Sequence, residues 1–332
     1  MSRSVPDGGV LAAAAPAGRP ATFGAWLRSV FGRREGLVPL AVLACFAAAD
    51  LTIRAIDGRL SGNFAHIREI PGLIAAAAAG EGPSLLLIGN SLTNNGLTPP
   101  AQLAGAPLRA AKVTPDATAL WDWRCVVEYQ VLDDPSRRFD VVAIGFAWRQ
   151  LSDQTVGDAS RLGTYFCSWP DAVRPSTIGL THEQVGEFVA ARVSRTYAIR
   201  DALRNALMGR LIPGYQIHTQ EANARAVEQG AAESAAEARR RTYTALAGLA
   251  DRLAARNGRL VVMAMPVTTP YEIDPGLQAL AQSGRLTLLD YRRVEGIGPD
   301  SFLDSMHLRP AGRDVLSVRF AADLEAILAG RR

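Results

Sequence analysis

The chain has 332 residues, 48% hydrophobic and 20% charged, a globular balance that suggests one large domain or two small ones. Its net charge of +4 is carried almost wholly by arginine, Lys112 being the single lysine, and no basic cluster interleaved with aromatics marks a nucleic-acid surface. Three cysteines (Cys45, Cys125, Cys167) and four histidines (His66, His182, His218, His307) show no zinc spacing, so neither a metal site nor a cofactor is expected.

Residues 1–36 are rich in Gly, Ala, Pro and Arg without a hydrophobic period, and are expected to be a disordered tail. Residues 37–56 follow as an apolar stretch broken only toward its far end by Asp50 and Arg54. About 20 residues cross a bilayer, so this segment predicts a single transmembrane signal anchor. A buried helix, a cleaved signal peptide and a lipoprotein site at Cys45 are the competing readings. Arg19, Arg28, Arg33 and Arg34 precede the segment, which puts the N-terminus in the cytoplasm and the body outside the inner membrane, in the periplasm. There, Cys125 and Cys167 either pair or remain buried free thiols.

Residues 57–83 predict a helical linker, with a helix over 63–79 stopped by Gly80, Gly82 and Pro83. The apolar run 84–89 predicts a buried strand, 108–113 a weaker one, and 117–132 a helix. Strands are expected again at 139–145, 258–266 and 285–290, and an amphipathic helix at 311–330 closes the chain. Strands alternating with helices predict a parallel sheet covered on both faces, here spanning residues 84–330. The interval between the strands at 139–145 and 258–266 exceeds what one crossover helix needs. Tyr243, Leu246, Leu249, Ala250 and Leu253 follow helical spacing, and residues 216–241 read as an outward extension of that helix. Residues 146–214 are then an insertion, with a helix expected at 182–207. Within it and beside it, Trp148, Tyr165 and Trp169 are candidates to stack on a sugar, although core packing is the commoner use of a tryptophan.

One strand runs straight into a polar turn, "IGNSLTNNG" at 88–96. In parallel sheets reactive side chains collect at the carboxyl ends of strands, where Ser91 stands. A serine becomes nucleophilic when a histidine takes its proton, and a carboxylate holds that histidine in one tautomer. "DSMHLRPAG" at 304–312, between the last strand and the last helix, supplies Asp304 and His307. The other three histidines read as structural or surface residues.

The two blocks resemble the first and last motifs of the SGNH (GDSL-type) hydrolase superfamily, with Asn90 where that family has Asp. The resemblance covers residues 84–330 apart from the insertion. It implies a flavodoxin-like three-layer α/β/α sandwich, Ser91 as nucleophile, His307 as base and Asp304 as its partner. The middle motifs depart from the pattern: Asp116 or a neighbour stands where a glycine donor is usual, and Ala147 where an asparagine is. The Ser91 amide remains as an oxyanion donor, with Asn94 or Arg149 as candidate replacements. The layout is similar to the membrane-anchored acyltransferase partners of bacterial envelope polysaccharide modification, of the alginate O-acetyltransferase type, and "AMPVTTPY" at 264–271 is also similar. That implies O-acetyl transfer to a polysaccharide acceptor, supplied by a membrane-bound O-acyltransferase partner. A carbohydrate esterase or deacetylase uses the same three residues. The reading from another class is a catalytically silent glycan-binding scaffold of a polysaccharide synthase complex.

Overall fold

A computed structural model of the protein describes residues 34–98, 108–173, 179–215 and 240–330. Residues 1–33 of the tail expected over 1–36, and residues 216–239 of the helix extension expected over 216–241, lie outside these residues. Residues 1–49 and 50–332 form two separate units. Helix α1 (Arg34–Ile56) contains the apolar segment, and its first turn takes in residues 34–36, which the tail was expected to include. Leu37–Arg59 is long and apolar enough to cross a membrane, with a mean hydropathy of 1.8. Leu37, Val38, Leu43 and Phe46 are exposed on it.

Helix α2 (Gly62–Ala78) is capped by Ser61, whose hydroxyl accepts from the Phe64 amide, and it buries Ile67, Ile70 and Ile74. Strand β1 (Ser84–Ile88) leads into the short helix α3 (Ser91–Gly96). Strand β2 (Arg109–Val113) precedes α4 (Leu120–Val127), which runs on through a π-helical turn, Glu128–Leu132. Strand β3 (Val141–Phe146) opens onto the insertion. The insertion holds α5 (His182–Val193), α6 (Arg195–Ala198) and α7 (Arg200–Leu211), and α8 (Thr244–Ala254) follows it. Strand β4 (Arg259–Ala264), α9 (Pro275–Gln282), β5 (Thr287–Asp290) and α10 (Pro310–Ala329) complete the order.

The five strands are all parallel, in the order β2-β1-β3-β4-β5. This is a three-layer α/β/α sandwich with the flavodoxin-like strand order. Alternation along the strands assigns the two faces. Leu86, Ile88, Val142, Ile144, Leu260 and Val262 share one cluster with α2, α4 and α8. Leu85, Leu87, Val141, Ala143, Val261 and Met263 share the other with Leu316, Phe320 and Leu324 of α10. The last three are spaced by four, so a single stripe of α10 covers that face.

Two expectations need correction. The helix expected over 182–207 is three helices. Ser194 leaves the α-region (φ −118°, ψ 116°), and its hydroxyl accepts from the Tyr197 amide, capping a new helix. The capping preference of serine overrides the helical period around it. The sequence reading also missed α9, the crossover between β4 and β5.

Cys125 on α4 and Cys167 in the insertion are joined as a disulfide, with Cα atoms 5.2 Å apart, which resolves the two readings of these cysteines. The insertion is fastened elsewhere by charge. Buried Asp57 pairs with Arg68 (2.7 Å) and Arg195 (3.4 Å) and accepts from the Tyr165 hydroxyl. Asp50 accepts from Ser194 and Thr196, and Arg54 donates to the Val193 carbonyl. A buried carboxylate needs such pairing, because leaving it uncompensated costs several kcal/mol, about 3–5 when one partner is removed.

Candidate active site

Strand β1 has β2 on one side and β3 on the other, and the chain goes to β2 first. The topological switch point therefore lies at the carboxyl ends of β1 and β3, the crevice where open α/β sheets bind ligands. Ser91 begins α3 at that point.

A turn this sharp needs local braces. The Asn90 Oδ1 accepts from the Leu92 amide (3.0 Å) and its Nδ2 donates to the Thr118 carbonyl (3.1 Å), so Asn90 is a buried cap tied to the loop after β2. Thr118 Oγ1 and Trp123 Nε1 both donate to the Gly89 carbonyl, at 2.9 and 3.1 Å. Asn95 Nδ2 donates to the Ser91 carbonyl (2.9 Å). Of the asparagines in this turn, Asn90 and Asn95 are thus spent on holding the backbone.

Thr93 lies fully buried against the sheet in a slot that two glycines open. A Cβ on Gly89 would fall 2.0 Å from Thr93 Oγ1, and one on Gly145 of β3 would fall 2.1 Å from it. Those glycines let α3 sit down onto β1 and β3.

The second half of the site comes from the loop between β5 and α10. Phe302 and Leu308 form an antiparallel bridge, and the Leu303 amide donates to the His307 carbonyl (2.7 Å). Inside this tight loop Asp304 Oδ1 accepts from the amides of Met306 (2.8 Å) and His307 (2.9 Å). The meeting of Asp304 with His307, three residues on, is therefore made by an aspartate-braced loop. Asp304 Oδ2 lies 2.8 Å from His307 Nδ1, and His307 Nε2 lies 2.9 Å from Ser91 Oγ.

An ionised carboxylate only accepts, so His307 Nδ1 carries the proton and Nε2 is left to accept from the serine hydroxyl. Burial raises the Asp304 pKa, but the His307 ring and the two amides outweigh it and hold the carboxyl below the usual range. Asp304 is half-exposed (52%) and His307 is 19% exposed, so the chain of three opens to solvent from the carboxylate side. This arrangement can move a proton from Ser91 to His307 as Ser91 attacks an ester carbonyl.

The remaining sequence candidates are placed as follows. Asn94 is exposed on α3, with its Oδ1 accepting from Thr114 Oγ1 (3.3 Å). Arg149 is exposed and lines a cavity of about 350 Å³ with Ser152, Gln154, Thr155, Arg240 and Arg241. The Asp116 amide donates to Asn63 Oδ1 (2.8 Å) and the Ala147 amide to Gln150 Oε1 (2.9 Å). The Ser91 amide is at the first helical position, where the helix itself supplies no acceptor. Trp148 follows β3 in the left-handed region (φ 49°), its ring 5.9 Å from that of Tyr271. Trp169 is 49% exposed, with Arg192 over its ring. The Tyr165 ring is stacked on Phe64 and carries Arg195 at 4.3 Å.

The sequence reading missed Lys112. It reaches from β2 to α3 and donates to the carbonyls of Asn94 (2.9 Å) and Leu97 (2.7 Å). Its uniqueness as the only lysine is the signal that was available.

No protein-family model matches the chain, and no curated protein matches it. Solved structures that align with it include a catalytic mutant of Axe2, an acetylxylan esterase from Geobacillus stearothermophilus. That alignment has 14% identity, covers 75% of this chain and 96% of that one, and has a TM-score of 0.37. A second Axe2 mutant, an acetyl-xylooligosaccharide esterase also from Geobacillus, aligns at 15% identity over the same shares, with a TM-score of 0.36. At this level of superposition, function has to be read from the site itself.

Proposed function

We propose that the chain is a serine-dependent acyl-ester enzyme of SGNH type, which transfers an O-acetyl group to a polysaccharide through an acyl-Ser91 intermediate. The observation that carries this reading is the hydrogen-bonded chain Ser91–His307–Asp304, at 2.9 and 2.8 Å. Ser91 Oγ attacks the acyl carbonyl carbon, and its proton passes to His307 Nε2. The leaving alkoxide takes that proton as the ester bond breaks. A sugar hydroxyl then gives its proton to His307 Nε2 and attacks the acyl-enzyme, and Ser91 Oγ takes that proton back as its ester bond breaks. With water in place of the sugar, the same steps hydrolyse the ester. The Ser91 amide is the first donor to the oxyanion, and losing a single such donor costs about 10²–10³ in rate.

Two further features support an exported setting. Helix α1 is long and apolar enough to anchor the chain in the inner membrane, with its arginine-rich N-terminal side in the cytoplasm. The Cys125–Cys167 disulfide suits an oxidising compartment such as the periplasm. The acyl group would reach Ser91 from a membrane-bound O-acyltransferase.

Labelling the detergent-solubilised full chain with a fluorophosphonate tests the nucleophile. Wild type is expected to label and Ser91→Ala is not. Equal labelling of the two, or none of wild type, refutes the assignment. Acetyl release from p-nitrophenyl acetate, measured with and without an oligosaccharide acceptor, separates the two outcomes of the acyl-enzyme. Release indifferent to acceptor would make the chain an esterase.

A further inference from the structure

Helix α3 has six residues, far fewer than the about 12–15 an isolated helix needs to be even marginal in water. Its position, and with it that of Ser91, is set by what holds its ends. Asn90 caps the start. At the other end the Leu97 amide donates to the Thr93 carbonyl and Asn95 Nδ2 to the Ser91 carbonyl, while the Asn94 and Leu97 carbonyls belong to the end that a helix leaves without donors of its own. Both are bonded by a single group, the Lys112 ammonium. An ammonium at a helix C-terminus also meets the negative end of the helix dipole.

We infer that Lys112, in its charged form, is a positioning residue for the nucleophile: it clamps the C-terminal end of α3 so that Ser91 Oγ stays in line with His307. This inference rests on the reading of Ser91 as nucleophile. The groups facing Lys112 are few. Arg313 of α10 approaches it with like charge, and His66 of α2 stands beside it, itself facing Glu69 and Asp116. His66 Nε2 accepts from the Thr114 amide, which requires an unprotonated nitrogen there, and burial lowers its pKa. Lys112 therefore has no carboxylate partner among the groups that act on it. Its burial, with Arg313 adding to the effect, lowers its pKa to about 8.

The sign of the linkage gives the clamp a signature that a merely structural lysine lacks. The Lys112 pKa is lower folded than unfolded, so the folded state binds fewer protons between about pH 8 and the unfolded value of about 10.4. Folding stability from this group rises over that window. The clamp weakens over the same window, because a neutral amine donates more weakly than an ammonium. The contribution of this group to stability and the strength of the clamp then move in opposite directions as pH rises through 8.

The experiment is a pH series from 6 to 10 on the full chain in detergent, with rate of fluorophosphonate labelling of Ser91, kcat on p-nitrophenyl acetate and thermal midpoint recorded together. Wild type, Lys112→Arg and Lys112→Met are compared. Wild type is expected to lose about tenfold in kcat above pH 8, with KM held and the midpoint not falling in parallel; a fraction of the 1 Å displacement that costs about 10² accounts for that loss. Lys112→Arg, whose guanidinium stays charged, should keep its rate to pH 10, and Lys112→Met should be slow at every pH. A wild-type profile flat through pH 8, or an alkaline loss that survives in Lys112→Arg, overturns the inference. So does a Lys112→Met variant with a lowered midpoint and an unchanged kcat. If Lys112→Met fails to fold, the comparison of wild type with Lys112→Arg decides the matter. Absence of Ser91 labelling in wild type removes the nucleophile reading and this inference with it, whereas labelling with a flat profile removes only this inference.

Discussion

Adding one methyl group at Gly145 tests whether the slot for Thr93 sets the position of the nucleophile. A Cβ on Gly145 would lie 2.1 Å from Thr93 Oγ1, against the 3.0 Å that real Cβ atoms respect, so about 0.9 Å must be recovered by movement. Gly145 is in the middle layer, paired with Met263 of β4, and every residue of β3 is buried. Thr93 has Gly89 close on its other side, so it has little room to turn away. The element free to move is α3, which carries Ser91 two residues before Thr93. Overpacking of this kind costs about 1–3 kcal/mol of stability. A displacement near 1 Å at the reacting atom costs about 10²-fold in rate, or about 2.7 kcal/mol of barrier. Gly145→Ala should therefore lower kcat on p-nitrophenyl acetate by about 10², and more severely than its fall in thermal midpoint suggests. The compensating change is Thr93→Ala. The Thr93 hydroxyl has no hydrogen-bond partner, so its loss leaves no group unsatisfied. In Gly145→Ala with Thr93→Ala the nearest remaining contact is Thr93 Cβ at 3.2 Å, which a few tenths of an ångström relieve. The double variant should recover most of the lost rate. A Gly145→Ala variant as active as wild type, or no recovery in the pair, would refute the argument that this slot positions Ser91.

The remaining predictions concern the carboxylate and the disulfide. Asp304→Asn removes the acceptor that fixes the His307 tautomer, and kcat should fall by about 10⁴ with KM little changed; a loss below tenfold would show that the loop alone orients the ring. Because the folded Asp304 pKa is depressed, its contribution to stability is full above the ordinary value of about 3.9 and is lost as pH falls through the folded one. Thermal melts taken from pH 6 to pH 3 should then drop more steeply for wild type than for Asp304→Asn, and parallel curves would contradict the assignment. Titration of thiols in the denatured, unreduced chain should find one, Cys45, and three after reduction. Reduction should lower stability by about 4 kcal/mol, the chain-entropy value for a loop closed over a sequence separation of 42; equal denaturant midpoints before and after reduction would mean the bond is not formed.

Much of this protein could be read from its sequence for a definite physical reason: apolar patterning is local. The leucines of 85–87 and the Val–Val–Ala–Ile of 141–144 are buried on both faces, so they appear as short unbroken apolar runs, and all five strands were found. The amphipathic pattern of 311–330 announced the closing helix in the same way, and Leu316, Phe320 and Leu324 are the residues it buries. Ser91, Asp304 and His307 were nameable because each sits in a short block with its own turn chemistry. What no local pattern contains is who meets whom across the fold. A separation of 216 residues is closed only by the strand order β2-β1-β3-β4-β5, which carries the loop before α10 back over β1. The pairing of Cys125 with Cys167 and the clamp of Lys112 on α3 were decided in the same way, by packing distant segments together. Asn90 and Asn95 stand in the same polar turn as Ser91; only the tertiary structure shows their amides already given to the carbonyls of Thr118 and Ser91. Sequence determines which groups are present and which segments are buried, because both follow from residue type and period. Tertiary structure decides which of those groups remain available for chemistry, because most polar groups in a packed interior are first satisfied there.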